Sequence, residues 1–208
     1  MDVNSDSIYG GYAGSLEMVA KSLLDKIEFL RKAEVEKTGH DTVEFVSTRI
    51  KSEESMREKC ERKGLPVTPL SALTEIHDAI GVRIVCGFLD DVYANVKHIR
   101  DFGGVEVINE KDYIRHSKPN GYRSYHMIVR VESPITDILG NKPGKFYAEI
   151  QLRTIAMDSW ASLEHQLKYK KNVKNQALIV SELKRCADEM ASTDVSMQTI
   201  RDLIQENS

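Results

Sequence analysis

The segment Ala148-Glu-Ile-Gln-Leu-Arg-Thr154, AEIQLRT, alternates small or aliphatic residues with an acid, an amide and a guanidinium. Successive side chains of a β-strand point to opposite faces, so this pattern predicts a strand with one apolar and one polar face. The apolar positions are Ala148, Ile150 and Leu152, and the polar positions are Glu149, Gln151 and Arg153. The polar face must be either solvated or part of a site.

Two further segments repeat this alternation. In Ser124–Val131, SYHMIVRV, His126 and Arg130 share the face opposite the tyrosine, methionine and valines. Arg49 and Lys51 lie on one face of another predicted strand, with an isoleucine between them on the other. A half-solvated antiparallel sheet also gives such a pattern, and for any single strand that explanation is favoured. Its recurrence on several strands indicates a functional face.

The remaining chain predicts helices around these strands. Five strands are expected near residues 43–51, 81–88, 105–114, 124–131 and 146–154. Helices are expected near residues 15–37, 53–63, 71–78, 90–101 and 155–171, with further helix to about residue 205. Asp90 or Asp91 is expected to cap the fourth helix, and Trp160, Leu163 and Leu167 to form core on the fifth. The sequence thus predicts an α/β or α+β fold, with a mixed sheet of about five strands flanked by helices.

Charge and composition limit the function classes. The chain has 29 basic and 32 acidic residues, so no global field attracts nucleic acid or anionic lipid. No apolar run approaches the roughly 18 residues of a membrane span, and the N-terminus lacks a secretion signal. Three distant cysteines fit neither a disulfide framework nor a zinc site. We expect a soluble, cytoplasmic protein with reduced cysteines and no membrane partner.

Basic residues lie beside the predicted strands. Arginine can grip phosphate oxygens with two hydrogen bonds and stack on a base, whereas lysine acts as a point charge, so a mixture suits a nucleotide. The set is Arg49, Lys51, Lys59, Arg83, Lys111 and Lys118. The alternative is a solvated basic surface, which is favoured for Lys59 taken alone. Asp78 and Glu149 are candidate Mg²⁺ ligands, although Asp78 could equally be a helix-terminal residue.

Several nucleotide-binding classes are disfavoured. The sequence contains neither the glycine-rich lysine loop of P-loop ATPases nor the Gly-x-Gly-x-x-Gly of protein kinases and Rossmann dehydrogenases. The dipeptide His77-Asp78 matches metal-dependent phosphohydrolases, but no other histidine lies near it in sequence. That match is discounted.

Six motifs resemble the synthetase domain of RelA/SpoT homologues, in the form of a stand-alone small alarmone synthetase. They are RIKS (49–52), HDAIGVRIV (77–85), KDYI (111–114), KPNGYRSYH (118–126), EIQLRT (149–154) and MDSWASLEHQLKYK (157–170). The resemblance implies a nucleotidyltransferase-like synthetase domain over residues 43–171. Helical segments would then occupy residues 1–42 and 172–208.

The resemblance implies transfer of pyrophosphate from ATP to the 3′-hydroxyl of GDP or GTP, giving ppGpp or pppGpp and AMP in the stringent response. It places adenine between Arg49 and Arg83, and ATP phosphates on Lys51 and Lys59. Glu149 would hold Mg²⁺ with Asp78 and take the proton of the 3′-hydroxyl. Acceptor binding is implied for Lys111, Lys118, Asn120, Tyr122, His126, Gln151 and Arg153, with Tyr122 stacked on guanine.

The partners and two alternative functions stay open at this stage. The resemblance implies a homo-oligomer, a tetramer in related enzymes, and leaves room for an alarmone or RNA effector. GMP is also an open acceptor. One alternative is a pyrophosphokinase toxin acting on adenine nucleotides or tRNA 3′ ends, against which the net acidity weighs. The other is a catalytically silent nucleotide- or RNA-binding regulator, against which the retained carboxylates and basic residues weigh.

Overall fold

A computed structural model describes residues 7–168 and 175–207. The helices are α1 (Ala13–Thr38), α2 (Glu53–Arg62), α3 (Leu89–Arg100), α4 (Ile155–Lys168) and α5 (Gln176–Glu206). The strands are β1 (Phe45–Ile50), β2 (Ile80–Cys86), β3 (Val105–Asp112), β4 (Tyr125–Ser133) and β5 (Gly144–Thr154). A 3-10 turn, Gly10–Tyr12, precedes α1, and a short π-helix, Ser71–Glu75, precedes β2.

The strands form one sheet in the order β1-β2-β5-β4-β3. Only the central pair β2–β5 is parallel, and the other three pairs are antiparallel. The predicted mixed sheet of five strands is therefore confirmed. Because β5 lies in the middle, its polar side chains are flanked by those of β2 and β4.

The two faces of β5 have the predicted character. Ala148, Ile150 and Leu152 are fully buried, and they belong to the same core as residues of β4, α1 and α3. The neighbouring residues supplied by those elements are Leu16, Leu23, Val92, Val96, Met127 and Val129. With the apolar face covered in this way, the opposite face of the sheet is left for the polar side chains.

Typical capping residues end α1 and begin α2, whereas α3 begins without one. Gly39 ends α1 with a φ of +71°, and the Ser52 hydroxyl caps α2 by accepting the N–H of Ser55. At α3 the N-cap is Phe88, so the predicted aspartate cap is wrong. Asp91 instead is buried and pairs with Arg201 of α5 at 2.7 Å, because a distant cation competes for the carboxylate.

The prediction for α4 was right in part. Trp160 is 4% exposed and belongs to the interior, but Leu163 and Leu167 are 54% and 47% exposed, so their assignment to the core is wrong. Residues 169–171 of the predicted helix lie outside the described residues. The domain boundaries at 42/43 and 171/172 stay predictions.

Two further findings concern the cysteines and the apolar character of the helices. Cys60, Cys86 and Cys186 are free, with the first two buried. Among residues 7–168 and 175–207, no helix has the length and apolar character needed to cross a membrane.

Candidate active site

A cleft of about 650 Å³ opens on the polar face of the sheet. Strands β1, β2 and β5 form its floor, and α4 forms one wall. Most of the predicted site residues line it, namely Arg49, Asp78, Arg83, Tyr122, Glu149, Gln151 and Arg153. Side chains from distant parts of the sequence thus meet where the alternation on the strands predicted a functional face.

Five side chains close a ring of hydrogen bonds in this cleft, here called the acceptor ring. Glu149 Oε1 lies 3.1 Å from His126 Nδ1, and His126 Nε2 lies 2.8 Å from the Tyr122 hydroxyl. Arg153 donates to the Tyr122 hydroxyl and to Gln151 Oε1, both at 2.8 Å. Gln151 Nε2 donates to Glu149 Oε2 at 2.9 Å and completes the circuit. Each member is therefore held by two neighbours.

Strand register explains most of the acceptor ring. Glu149, Gln151 and Arg153 are alternate residues of β5, so they share one face. His126 of β4 lies directly opposite Gln151 in the antiparallel pair. Tyr122 comes from the turn before β4 and bridges the His126 end of the ring to the Arg153 end.

The turn that carries Tyr122 is fixed by its own polar groups. Gly121 has a φ of +90°, and its N–H donates to the carbonyl of Lys118 at 2.8 Å. The Asn120 side chain accepts the N–H of Tyr122 and donates to Glu164 of α4. The Lys118 ammonium lies 4.7 Å from the centre of the Tyr122 ring, within cation–π distance. The Pro-Asn-Gly sequence therefore sets the position of the aromatic ring.

The acceptor ring keeps Glu149 ionised. Burial alone would raise the pKa of Glu149, but the hydrogen bond and charge of His126, the hydrogen bond from Gln151 and the charge of Lys59 outweigh it. The net effect lowers the pKa to about 2. Near neutral pH the side chain is a carboxylate that can accept a hydrogen bond or bind a cation.

Asp78 forms the centre of a second, cationic part of the cleft. Its Oδ2 lies 3.1 Å from the Lys51 ammonium and 2.5 Å from the Lys59 ammonium. Lys59 is therefore not the solvated surface residue that its own stretch of sequence predicts. The other oxygen, Oδ1, is buried and has no hydrogen-bond partner.

Two arginines lie on β1 and β2, the strands next to this cationic part. Arg49 is opposite Gly81 and Arg83 is opposite Ser47 in the β1–β2 pair, so the two arginines are diagonal neighbours on one face. A Cβ at Gly81 would lie 3.3 Å from Arg49 Cγ. The glycine therefore lets the Arg49 side chain lie close to β2.

Sequence reasoning assigned no definite role to three contributors. Asp158, in the first turn of α4, accepts from Arg83 at 3.1 Å and from Arg153 at 2.9 Å, and so joins the two parts of the cleft. Glu164 holds Asn120, and Tyr113 packs edge-on against Tyr122 and His126. In sequence, Asp158 only indicated an acid favourable at a helix start.

One predicted residue is near the ring without touching it. Lys111 of β3 is exposed and lies opposite His126 in the β3–β4 pair, on the same face of the sheet. The structure thus brings together all the predicted residues except Lys111, which borders the group.

The residues present fit a magnesium ion better than they fit a structural metal. Asp78 and Glu149 line the same cleft, and the unpartnered Asp78 Oδ1 is a buried carboxylate oxygen with capacity for a ligand. Mg²⁺ characteristically takes one or two carboxylates and completes its shell with water and substrate phosphates. In the described ranges, no group of three or more acidic, histidine or cysteine residues could hold a metal without such help.

Known proteins resemble this chain in sequence and in structure. The family model described as a region found in RelA / SpoT proteins matches residues 48–174. The GTP pyrophosphokinase YwaC of Bacillus subtilis is 42% identical over 163 residues, which cover 78% of this chain and 76% of that protein. The GTP pyrophosphokinase YjbM of the same organism is 33% identical over 181 residues, covering 87% and 82%.

A solved structure extends the similarity to the fold. The small alarmone synthetase 1 from Bacillus subtilis, crystallised with its product pppGpp, superimposes with a TM-score of 0.79 at 31% identity. The match covers 91% of this chain and 94% of that one. It therefore includes the terminal helices as well as the sheet.

Proposed function

The chain belongs to the RelA/SpoT family, and on that premise we propose that it is a GTP pyrophosphokinase. It transfers the pyrophosphoryl group of ATP to the ribose 3′-hydroxyl of GDP or GTP, giving ppGpp or pppGpp and AMP. Relatives named GTP pyrophosphokinase and a similar synthetase bound to pppGpp support this reaction. The observation that carries it is the cleft itself. There Glu149 belongs to the hydrogen-bonded acceptor ring and lies near the cationic part around Asp78.

The cationic part is the donor subsite. Arg49 and Arg83 stack on the two faces of adenine, since planar guanidinium groups suit aromatic surfaces. Lys51 and Lys59, now paired with Asp78, meet the ATP phosphates. A triphosphate brings several negative charges and so offers both ammonium groups further partners beside one carboxylate oxygen.

The acceptor ring and the turn before β4 form the acceptor subsite. Tyr122 stacks on guanine, and Lys118 and Asn120 fix the turn beside it. His126, Gln151 and Arg153 form the polar wall, while the exposed Lys111 is placed to meet a 5′-phosphate at the rim. In this division each nucleotide has a planar side chain against its base and cationic side chains near its phosphates.

Asp78 and Glu149 would hold Mg²⁺, which would supply charge neutralisation on the ATP phosphates. Glu149 also orients the 3′-hydroxyl. The 3′-oxygen bonds to the β-phosphorus and passes its proton to Glu149, the bond from that phosphorus to the α-phosphate oxygen breaks, and AMP leaves with its electron pair. A carboxylate with a pKa of about 2 is a weak base. Phosphoryl transfer depends mainly on positioning and charge, so orientation of the hydroxyl matters more than base strength.

The test is a transfer assay with β-labelled ATP and Mg²⁺, in which GMP, GDP, GTP, ATP and tRNA are offered separately. We expect label in the guanine nucleotides together with release of AMP. Label only in adenine nucleotides or tRNA would support the toxin reaction, and an absence of transfer would support a silent regulator. No contact in the cleft favours either alternative.

We further propose a homo-oligomer, a tetramer by the resemblance. Phe29 of α1 is 71% exposed, and Ile200, Leu203 and Ile204 of α5 are each more than half exposed. Apolar side chains of this size favour burial against another surface. Light scattering of the purified protein measures the oligomer, and a monomer at all concentrations would contradict the proposal.

We also propose a cytoplasmic location, where ATP and GTP are available, and regulation by an alarmone or RNA.

A further inference from the structure

Helix α5 contacts the turn that carries Tyr122, although it lies outside the matched family region. The family model ends at residue 174, and α5 begins at Gln176. Three consecutive residues of the turn, Gly121, Tyr122 and Arg123, each connect to α5. The three contacts differ in kind, and together they hold the turn against α5.

The contact at Gly121 is steric. A Cβ built at Gly121 would lie 2.5 Å from Ala187 Cβ and 3.3 Å from Lys184 Cα. Ala187 is 5% exposed, so a small residue on α5 packs directly against the backbone of the turn. Any larger side chain at either position must move the turn or the helix.

Arg123 forms the ionic contact. Its guanidinium lies 3.3 Å from Asp188 Oδ1 on α5 and also donates to the Gly121 carbonyl. The same side chain therefore links the helix to the backbone next to Tyr122.

The contact of Tyr122 runs through Trp160. Trp160 Nε1 donates to the Leu183 carbonyl of α5 at 2.8 Å, and the indole lies edge-on to the Tyr122 ring with 6.4 Å between the ring centres. Position 183 is one turn before Ala187 on the same helix. A shift of α5 would therefore reach the ring through the indole as well as through Gly121.

The remainder of α5 is anchored independently of the turn. Asp194 is buried and accepts from the Thr154 hydroxyl at the end of β5, at 2.7 Å. Arg201 pairs with the buried Asp91 at 2.7 Å, and Gln198 Nε2 donates a hydrogen bond to Asp90 Oδ2. Helix α5 is thus fixed to the sheet and to α3, and can serve as a rigid support.

We infer that α5 is a positioning element of the acceptor subsite, with Ala187 setting the position of the turn that presents Tyr122 to a purine nucleotide acceptor. This inference rests on the proposed function and deepens it. None of the α5 contacts described above involves Arg49, Lys51 or Lys59. Changes at Ala187 should accordingly alter acceptor binding and spare ATP binding.

The principal test is Ala187→Leu, assayed for the KM of each substrate. We expect the KM for GDP to rise by about fivefold to a hundredfold, the range that loss of base–aromatic stacking spans. The KM for ATP should stay unchanged. The matched control is Ser192→Leu, an exposed position on the same helix, which should leave both constants unchanged. An equal rise in both constants, or an unchanged KM for GDP, would overturn the inference.

Two further variants keep the test informative if Ala187→Leu does not fold. Gly121→Ala should raise the KM for GDP, and adding Ala187→Gly should recover part of that loss because it removes the atom 2.5 Å away. Asp188→Asn should raise the KM for GDP by about twofold to fivefold, the effect of losing a partly exposed ion pair. Its control, Glu189→Gln, should leave that KM unchanged. An absence of recovery together with a silent Asp188→Asn would count against the inference.

Binding can be followed apart from turnover. Trp160 is the one tryptophan of the sequence, so intrinsic fluorescence reports its contact with Tyr122 directly. Titration with GDP should change the emission of the wild type and require a higher concentration in Ala187→Leu. Failure of the proposed function would show as absent transfer in the wild type. Failure of this inference would show as identical titrations of two folded proteins.

Discussion

The two parts of the cleft differ in how their polar groups are satisfied. In the acceptor ring every side chain has two hydrogen-bond partners within the ring. In the donor subsite two lysines share one oxygen of Asp78, while the other oxygen is buried without a partner. A fully connected network fixes orientation, whereas an unsatisfied buried oxygen marks a place that a ligand completes.

The difference indicates that one part of the cleft acts mainly through fixed geometry and the other mainly through charge. In the proposed reaction the acceptor ring sets where the 3′-hydroxyl and the guanine lie, through hydrogen bonds that already exist without substrate. The proposed donor subsite contributes mostly charge, and we expect its lysine–aspartate pairs to rearrange when phosphates and a cation bind. Substitutions in the two parts should accordingly affect different constants.

The largest effect is expected from Glu149→Gln. The variant keeps the shape of the side chain but removes the charge that we propose orients the nucleophile and holds Mg²⁺, so transfer should fall by about 10²–10⁴-fold. ATP binding, measured by calorimetry, should be largely retained because the arginines and lysines remain. The exposed Glu132→Gln on β4 is the control and should be fully active. An active Glu149→Gln enzyme would refute the assigned role.

Tyr122→Ala comes next. Loss of stacking on guanine should weaken acceptor use by about 1–3 kcal/mol and leave the KM for ATP unchanged. Steady-state kinetics with each substrate varied in turn measures both effects. Unchanged acceptor kinetics would remove Tyr122 from the guanine site.

A pH effect on stability should follow from Glu149. Its folded pKa, about 2, lies below the ordinary value of 4.5, so ionisation stabilises the folded state above pH 4.5 and this contribution is lost as the pH falls toward 2. The difference in free energy of unfolding between wild type and Glu149→Gln should shrink by about 2 kcal/mol from pH 5 to pH 3. Urea titrations at several pH values measure it. A constant difference would mean that Glu149 is not held ionised by the ring.

The smallest effect is expected from Tyr122→Phe. The variant keeps the aromatic face and removes the hydroxyl that lies 2.8 Å from both His126 and Arg153. We expect a loss of about 0.5–1.5 kcal/mol in the free energy of unfolding and little change in the KM for GDP. A large rise in that KM with unchanged stability would show that the hydroxyl, not the ring face, contacts the acceptor.

Strand alternation was the sequence pattern that predicted most of the structure correctly. The pattern of AEIQLRT correctly placed Ala148, Ile150 and Leu152 in the core and the polar residues on the cleft face. It could not show that the ring closes, because closure needs the β4–β5 register and a bond between Tyr122 and Arg153, 31 positions apart. Local periodicity does not contain that information.

Other failures have the same origin. Asp91 was expected to cap a helix but is held by Arg201, and Asp158, which had no predicted role, is held by Arg83 and Arg153. Leu163 and Leu167 follow helical spacing on α4, but the side of α4 that enters the interior carries Trp160 instead. Tertiary partners decided these positions, and the motifs carried by the resemblance supplied roles that spacing alone left open.

The most direct measurement is a crystal structure of the wild-type protein with a non-hydrolysable ATP analogue, Mg²⁺ and GDP. The account predicts adenine between Arg49 and Arg83, guanine on the ring of Tyr122, and the 3′-hydroxyl within hydrogen-bond distance of residue 149. It also predicts Mg²⁺ on the free oxygen of Asp78. Guanine bound away from Tyr122, or a 3′-hydroxyl remote from residue 149 with both nucleotides in place, would contradict the two-subsite cleft.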